Sequence, residues 1–466
     1  MTDLDSVVAA VRERIDPDAD ERAALAAAVS ALRERVEATV SELPVDADAV
    51  QVGSTARGTW LSGDRDIDLF VRFPPDLPRE DLERYGLEVG RAVLPGGHEE
   101  YAEHPYVKGD FEGFDVDLVP CYDVAEATDI QSAVDRTPFH NAYLDARLDE
   151  GLRADVRVFK RFLKGIGAYG SDLRTKGFSG YLSELLILEH GGLEPLLHAA
   201  ADWHPPVEFD PEEHGRATFD DPLVVIDPTD PERNVAAVLS AANVARLQHY
   251  ARELLAEPRE ELFFPAEERS YSRFDVREHL DRRGTHPVAV VFQAPEVVED
   301  QLYPQLEKSL SGVVSELGRL GFEPLRATAI ADDRAVLFVE CSVAELPQVA
   351  RHDGPPVAVR QHAMGFFEKY DRAGDADKED EEDEEDEAIE GVYGPFIDGD
   401  RYVVERDREF TTPESFLSSD ALFDVALGAQ VESVLEERYE VLVGDDVAAL
   451  ADEFGAELRA YFEPKP

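Results

Sequence analysis

The chain has 466 residues, too many for one ordinary core and enough for two to four domains. It carries 101 Asp plus Glu against 46 Lys plus Arg, a formal net charge of −55, yet 43% of it is hydrophobic. Apolar periodic segments recur along most of its length, which excludes global disorder, so the acidity reads as the surface of a protein adapted to molar salt.

In chain order, residues 1–44 read as helices. Asp16 and Pro17 are the expected cap and first-turn pair of the second helix, and the acidic, amphipathic start MTDLDSVVAAVRERIDP does not read as a signal peptide. From Ala49 to Val124 strands dominate: AVQV, DIDLFVRF, a segment from Tyr101 to Lys108, and FDVDLVP, with a helix from Arg79 to Leu94 between them. Helical patterns follow from Ser132 to Glu257, including LRADVRVFKRFLKGIG, GYLSELLILEHGG and ERNVAAVLSAANVARLQHYARELL. A third region begins near Phe274, where HPVAVVFQAP, the helix QLYPQLEKSLSGVVSELGRLG and RAVLFVECSV suggest a βαβ-like module. DRAGDADKEDEEDEEDEAIE is expected to be a solvated acidic loop over 371–390, followed by a helical region from Ser415 to Phe462. The fold class expected is α+β and multidomain: a catalytic head (1–130), a helical neck (131–265), a sheet-and-helix body (266–350) and a tail (351–466). Cys121 and Cys341 suit neither a disulfide framework nor a zinc site, no stretch approaches a membrane span, and a cytoplasmic location is expected.

The chemistry concentrates in Gly53-Ser54, Asp66-Ile67-Asp68 and Asp117. Residues i and i+2 of a strand share a face, so Asp66 and Asp68 point together, and Asp117 joins them if its strand is a neighbour. Three converging carboxylates are costly without cations, and two Mg²⁺ ions would satisfy them and clamp a phosphoryl displacement. Gly53-Ser54, between a strand and a helical turn, offers backbone N–H groups and a hydroxyl to a triphosphate, with Arg57 one turn on. In so acidic a chain a DxD arises easily by chance, so specificity lies in the joint pattern. Asp64, Asp110, Asp115 and Asp123 are assigned to the surface, Asp115 least securely because it alternates onto the face of Asp117. Arg153, Arg157, Lys160 and Lys164 fall on one side of their helix, a basic stripe suited to triphosphate and RNA backbone or simply a solvated face. The chain has only eight lysines, and three of them lie between 160 and 176. Trp60 and Trp203 read as packing residues.

These motifs resemble the DNA polymerase β-type nucleotidyltransferases. VGSTARGTWLSGDRDIDLFV, FDVDLVPCY, RTPFHNAYL, VRVFKRFLKGIGAYGSDLRTKGFSGYLSELLI, DPTDPERNVAAVLS and EDQLYPQLEK resemble the archaeal-type CCA-adding enzymes within that superfamily, over most of the chain. The resemblance implies template-independent addition of C, C and A to the 3′ end of tRNA from CTP and ATP. It implies that Asp66, Asp68 and Asp117 bind the metal and catalyse, with Asp117 near the 3′-hydroxyl. It gives Gly53, Ser54, Arg57, His140, Lys160, Tyr169 and Arg233 nucleotide-binding roles, Arg233 reading the base edge. It also implies that body and tail grip the acceptor and TΨC arms of tRNA, and that the protein is a homodimer. Taken alone, His140 reads equally as a polar contact at a helix start, Tyr169 as packing and Arg233 as a first-turn surface residue. The alternatives are another enzyme of the superfamily, such as a poly(A) polymerase or oligoadenylate synthetase, a non-catalytic RNA-binding protein, or an acidic chaperone.

Overall fold

The computed structural model describes residues 3–266, 269–371 and 392–466. Apart from Asp371, the acidic run expected as a loop over 371–390 lies outside the described residues. The chain forms two compact units that divide between Glu267 and Glu268, with Pro466 belonging to the first. Both units mix helices and sheets, so the fold is α+β. The boundaries expected at 130 and 350 fall inside the units.

In the first unit α1 (Leu4–Ile15) is capped by Asp3 and buries Val7, Val11 and Ile15. α2 (Ala19–Val40) starts from Asp18, not from the expected Asp16. Asp18 has Glu21 three residues on, and the two close a capping box, while Asp16 ends α1. β1 (Asp48–Val52), α3 (Gly53–Arg57), β2 (Asp66–Phe73), α4 (Arg79–Val93), β3 (His98–Tyr101), β4 (Pro105–Phe111) and β5 (Phe114–Tyr122) follow. The strands form one sheet in the order β1-β2-β5-β4-β3, with β2 and β5 parallel. The segment from Tyr101 to Lys108 is the turn and second arm of a hairpin, with Tyr101 opposite Pro105. Alternation sends Ile67, Leu69, Val71, Val116 and Leu118 into a core shared with buried residues of α2 and α4, and leaves the aspartates on the opposite face. Trp60 and Trp203 are buried.

The unit continues with α5 (Thr137–Asp145), α6 (Glu150–Gly165), α7 (Gly180–His190), α8 (Leu193–Ala201), β6 (Val207–Phe209), β7 (Leu223–Asp227), β8 (Asp230–Asn234) and α9 (Ala241–Ala256). The helix expected from Glu232 begins only at Ala241, so Arg233 lies on a strand and not in a helical first turn. β7 is buried along its whole length and needs a partner, and the Asn234 side chain locks β8 to it by accepting from Val225 N and Ala236 N. α6 is helical as expected, but its basic side is buried in the middle and open at the ends, where Arg153 is half-buried and Lys164 exposed. Arg157 is 1% exposed and donates to Asp16 Oδ1 (2.7 Å) and the Gly58 carbonyl (2.6 Å), and Lys160 is 3% exposed.

The second unit holds α10 (Arg273–Arg283), β9 (His286–Gln293), α11 (Glu299–Leu320), β10 (Pro324–Ala331), β11 (Arg334–Cys341), β12 (Val349–Pro356), α12 (Arg360–Asp371), β13 (Val392–Asp398), β14 (Arg401–Asp407), α13 (Pro413–Leu417), α14 (Ala429–Glu437), β15 (Tyr439–Val443) and α15 (Ala451–Phe462). The expected βαβ module is instead antiparallel. β10 follows α11 and turns straight into β11, which therefore runs against β9 in a sheet ordered β10-β11-β9-β15. β15, inside the region from Ser415 to Phe462 expected to be helical, closes the free edge of β9. The regions read as body and tail thus share one sheet, beside which β12, β14 and β13 form a second.

Candidate active site

β2 and β5 pair in parallel, with Asp66 opposite Asp115 and Asp68 opposite Asp117. Burial pushes the Asp68 carboxyl up to about 6, with further contributions from the Asp117 and Asp66 charges and opposition from Arg57. Burial also raises Asp66, helped by Asp64 and Asp115. It raises Asp117 too, against the pull of Lys108, whose Nζ stands 3.3 Å from Asp117 Oδ1 across the β4–β5 pairing. Carboxylates that raise one another are short of positive charge, and their oxygens are the hard donors that a divalent cation takes. Among the described residues no group of three or more acidic, His or Cys side chains closes on a point where it could hold an ion. Lys108 occupies one Asp117 oxygen, and an ion that keeps water and phosphate ligands needs only one or two carboxylates. The donor set therefore fits a divalent cation completed by substrate. Asp110, Asp115 and Asp123 are exposed, whereas Asp64 is half-buried, with Lys164 Nζ 3.6 Å away.

β1 delivers the turn at Gly53 to this place. Val52 pairs with Asp68, and the chain then enters α3 at Gly53 with φ +77°. A Cβ on Gly53 would stand 2.0 Å from Asp68 Oδ2, so both conformation and space demand glycine there. Ser54 is half-buried beside it, and its carbonyl accepts from Thr59 N at 3.0 Å.

Arg57 and Lys160 converge on one acid that the sequence reading did not single out. Glu184, on α7, is fully buried. Its Oε2 accepts from Arg57 Nε (3.1 Å) and Nη2 (2.7 Å), and its Oε1 from Lys160 Nζ (3.3 Å) and the Thr59 hydroxyl. Burial alone would raise Glu184, but Lys160 and Arg57 hold it below the usual carboxylate range, while burial lowers Lys160. Two cations share one anion, so the cluster keeps an excess positive charge. Tyr169 belongs to the same neighbourhood: a Cβ on Gly180 would meet Tyr169 Oη at 3.2 Å and Lys160 Nζ at 3.6 Å.

His140 and Arg233 meet at a second buried acid, Asp227, the last residue of β7. Asp227 Oδ2 is 2.8 Å from His140 Nε2 and accepts from Arg233 Nη1 at 2.7 Å. Its other oxygen accepts from the Thr229 amide and hydroxyl at 2.9 and 2.8 Å. The His140 ring stacks on Tyr181, centroids 4.0 Å apart. Asn141, next to His140 on α5, accepts from Arg57 Nη1 at 3.0 Å, so the two clusters are contiguous through α5 and through Tyr181 and Glu184 of α7.

Three family profiles match this chain. They are a nucleotidyltransferase domain at residues 31–140, the second domain of tRNA nucleotidyltransferase at 154–264, and the C-terminal domain of CCA-adding enzyme at 283–444. The CCA-adding enzyme of Halorubrum lacusprofundi is 62% identical over the full length of both chains. The chain belongs to the CCA-adding enzymes. That of Haloarcula marismortui is 59% identical over 100% of this chain and 99% of its own, and that of Methanoregula boonei 42% over 96% and 93%.

Three residues of this CCA-adding enzyme that contact the expected set escaped the sequence reading. Glu184 had a signal, as the one charge amid the apolar YLSELLIL. Lys108 had another, as a rare lysine on a strand beside that of Asp117. Asp227 opens the DPTDPERNVAAVLS segment that carries the resemblance, but in a chain full of aspartates it was given no role.

Proposed function

We propose that Asp66, Asp68 and Asp117 are the catalytic and metal-binding residues of this enzyme, and that the turn at Gly53 and the two buried clusters bind the incoming nucleotide. As a CCA-adding enzyme the chain adds C, C and A to the 3′ end of tRNA from CTP and ATP without a nucleic-acid template, releasing pyrophosphate. One observation carries the site reading: Asp68 and Asp117 are direct partners across parallel strands, the Asp117 charge adds to the burial that raises Asp68, and the Gly53 backbone lies against Asp68.

Asp66, Asp68 and Asp117 would supply the carboxylate oxygens for Mg²⁺, which when bound beside the substrate phosphates would lend Lewis acidity to the attack of the 3′-hydroxyl and the departure of pyrophosphate. Asp117 is placed to take the hydroxyl proton, its raised affinity for protons suiting a base. Backbone N–H groups after Gly53, with the Ser54 hydroxyl, hold phosphate oxygens. Arg57, Lys160 and Tyr169 surround the triphosphate, and the excess charge of the Glu184 cluster offsets it in a partly dry site. His140 and Arg233 face the base. The second unit grips the acceptor and TΨC arms by shape and phosphate contacts, as RNA duplexes are usually held. The protein works as a homodimer in the cytoplasm. No helix among the described residues is long and apolar enough to cross a membrane.

The test supplies each of the four nucleoside triphosphates in turn to tRNA lacking its last three nucleotides. Two CMP followed by one AMP is expected. A poly(A) polymerase would ignore CTP and extend with AMP indefinitely, and that result would overturn the reading.

A further inference from the structure

We infer that Asp227 is a positioning residue for nucleotide selection, fixing the tautomer of His140 and the orientation of the Arg233 guanidinium so that cytosine and adenine are accepted and uracil and guanine refused. The inference rests on the nucleotide-site reading of His140 and Arg233 and adds to it a residue that touches no nucleotide.

Asp227 is fully buried, and all four of its hydrogen bonds are made within the protein. The Thr229 amide and hydroxyl fix Oδ1, so Oδ2 points one way only, toward His140 and Arg233. Burial works against its charge, but the bonds from His140 and Thr229 keep it well below the usual carboxylate range. An ionised carboxylate only accepts, so the proton on His140 sits on Nε2. Burial lowers the His140 imidazole, which leaves Nδ1 as a free acceptor. The ring plane is set independently by the stack on Tyr181 at 18°.

Arg233 is treated in the same way. Asp227 takes Nη1, and the remaining N–H groups of the planar fork then point in fixed directions, on a side chain still 38% exposed and open to a ligand. The hairpin that bears it is pinned a second time, by Arg136 Nη2 to Asp230 Oδ2 at 2.8 Å, immediately before α5. Fixed donors suit cytosine N3 and adenine N1, which accept, and meet N–H donors at uracil N3 and guanine N1. A site built to pair rejects the mismatched edge strongly, because its own polar groups are then left unpaired. A guanidinium free to swing would lose that selectivity while keeping its charge. Selection therefore depends on what holds Arg233 as well as on Arg233 itself.

The experiment is single-nucleotide incorporation into tRNA lacking its last three nucleotides and into tRNA ending in CC, with all four triphosphates separately. The variants are Asp227→Asn, Thr229→Val, His140→Ala and Arg233→Ala, each checked for wild-type secondary structure and melting. For Asp227→Asn the ratio of kcat/KM for CTP over UTP is expected to fall at least about tenfold, mostly through a higher KM for CTP. Thr229→Val keeps the charge and loosens one oxygen, so it gives a smaller fall in the same ratio and serves if Asp227→Asn fails to fold. Losses equal for all four nucleotides in both folded variants would mean a merely structural Asp227 and overturn the inference. If instead His140→Ala and Arg233→Ala leave both KM and the ratio unchanged, the nucleotide-site reading itself fails, and the inference with it.

Discussion

Asp68 lies where the elements of the aspartate face meet: β1 ends against it, β5 sets Asp117 beside it, and Arg57 offsets it. Its folded pKa of about 6 lies above the ordinary 3.8. The folded state therefore binds this proton more tightly than the unfolded chain. The penalty is absent below the unfolded value, grows as pH rises through the interval and is complete above about 6. Without divalent ions, Asp68→Asn is expected to raise stability at pH 8 by on the order of 2 kcal/mol, and by nothing near pH 3, measured by denaturant melts. Adding Mg²⁺ should then stabilise the wild type and not the variant. Glu184 behaves in the opposite way. Its lowered pKa gives stability that is present above the unfolded value and lost as pH falls through the folded one. Glu184→Ala, which strands Arg57 and Lys160 in a dry interior, should cost about 3–5 kcal/mol in the same melts at pH 7. The three aspartates were legible in the sequence because strand alternation is a local rule. Glu184 and Asp227 were not, since Arg57 lies 127 residues from Glu184 and His140 lies 87 residues from Asp227 in sequence.

At the scale of elements, the turn from β1 into α3 is the most constrained piece of backbone in the site. Gly53→Ala combines a positive φ with a Cβ that would displace the Asp68 carboxylate. The variant should fold, at a cost of about 1–2 kcal/mol, and lose nucleotide transfer far more than that, at least about a hundredfold in kcat. Steady-state kinetics against a denaturant melt separates the two effects. Most elements of the first unit follow from periodicity: β1, β2, β5, α4 and α6 lie close to where the pattern puts them. Three of the missed strands share one cause. β8, β10 and β15 are strands by virtue of a partner's unsatisfied edge, β7, β11 and β9 respectively. Their own sequences, ERN, LRATAIA and YEVLV, are short or lie beside helix-forming stretches, so tertiary pairing decides them. The burial of Arg157 and Lys160 on α6 was missed for the same reason, because Asp16 and Glu184, which pair with them, lie on other segments.

For the whole molecule, the net charge of −55 sets the working conditions. At about 0.1 M salt the screening length is about 10 Å and neighbouring carboxylates repel across the surface, while near 1 M it falls to about 3 Å. The melting temperature is expected to climb steeply between about 0.1 and 2 M KCl, as followed by circular dichroism, with an equal concentration of sucrose giving much less. Binding of tRNA must then tolerate salt that weakens phosphate contacts, which favours shape and buried polar clusters over open basic patches. The central claim is that the aspartate face is the catalytic centre, and single-turnover transfer of labelled CMP to tRNA lacking its last three nucleotides, in molar KCl with Mg²⁺, tests it most directly. Asp66→Ala and Asp117→Ala, folded and still binding tRNA, should each transfer at least about a thousandfold more slowly than the wild type. A rate near that of the wild type in either variant would contradict the account.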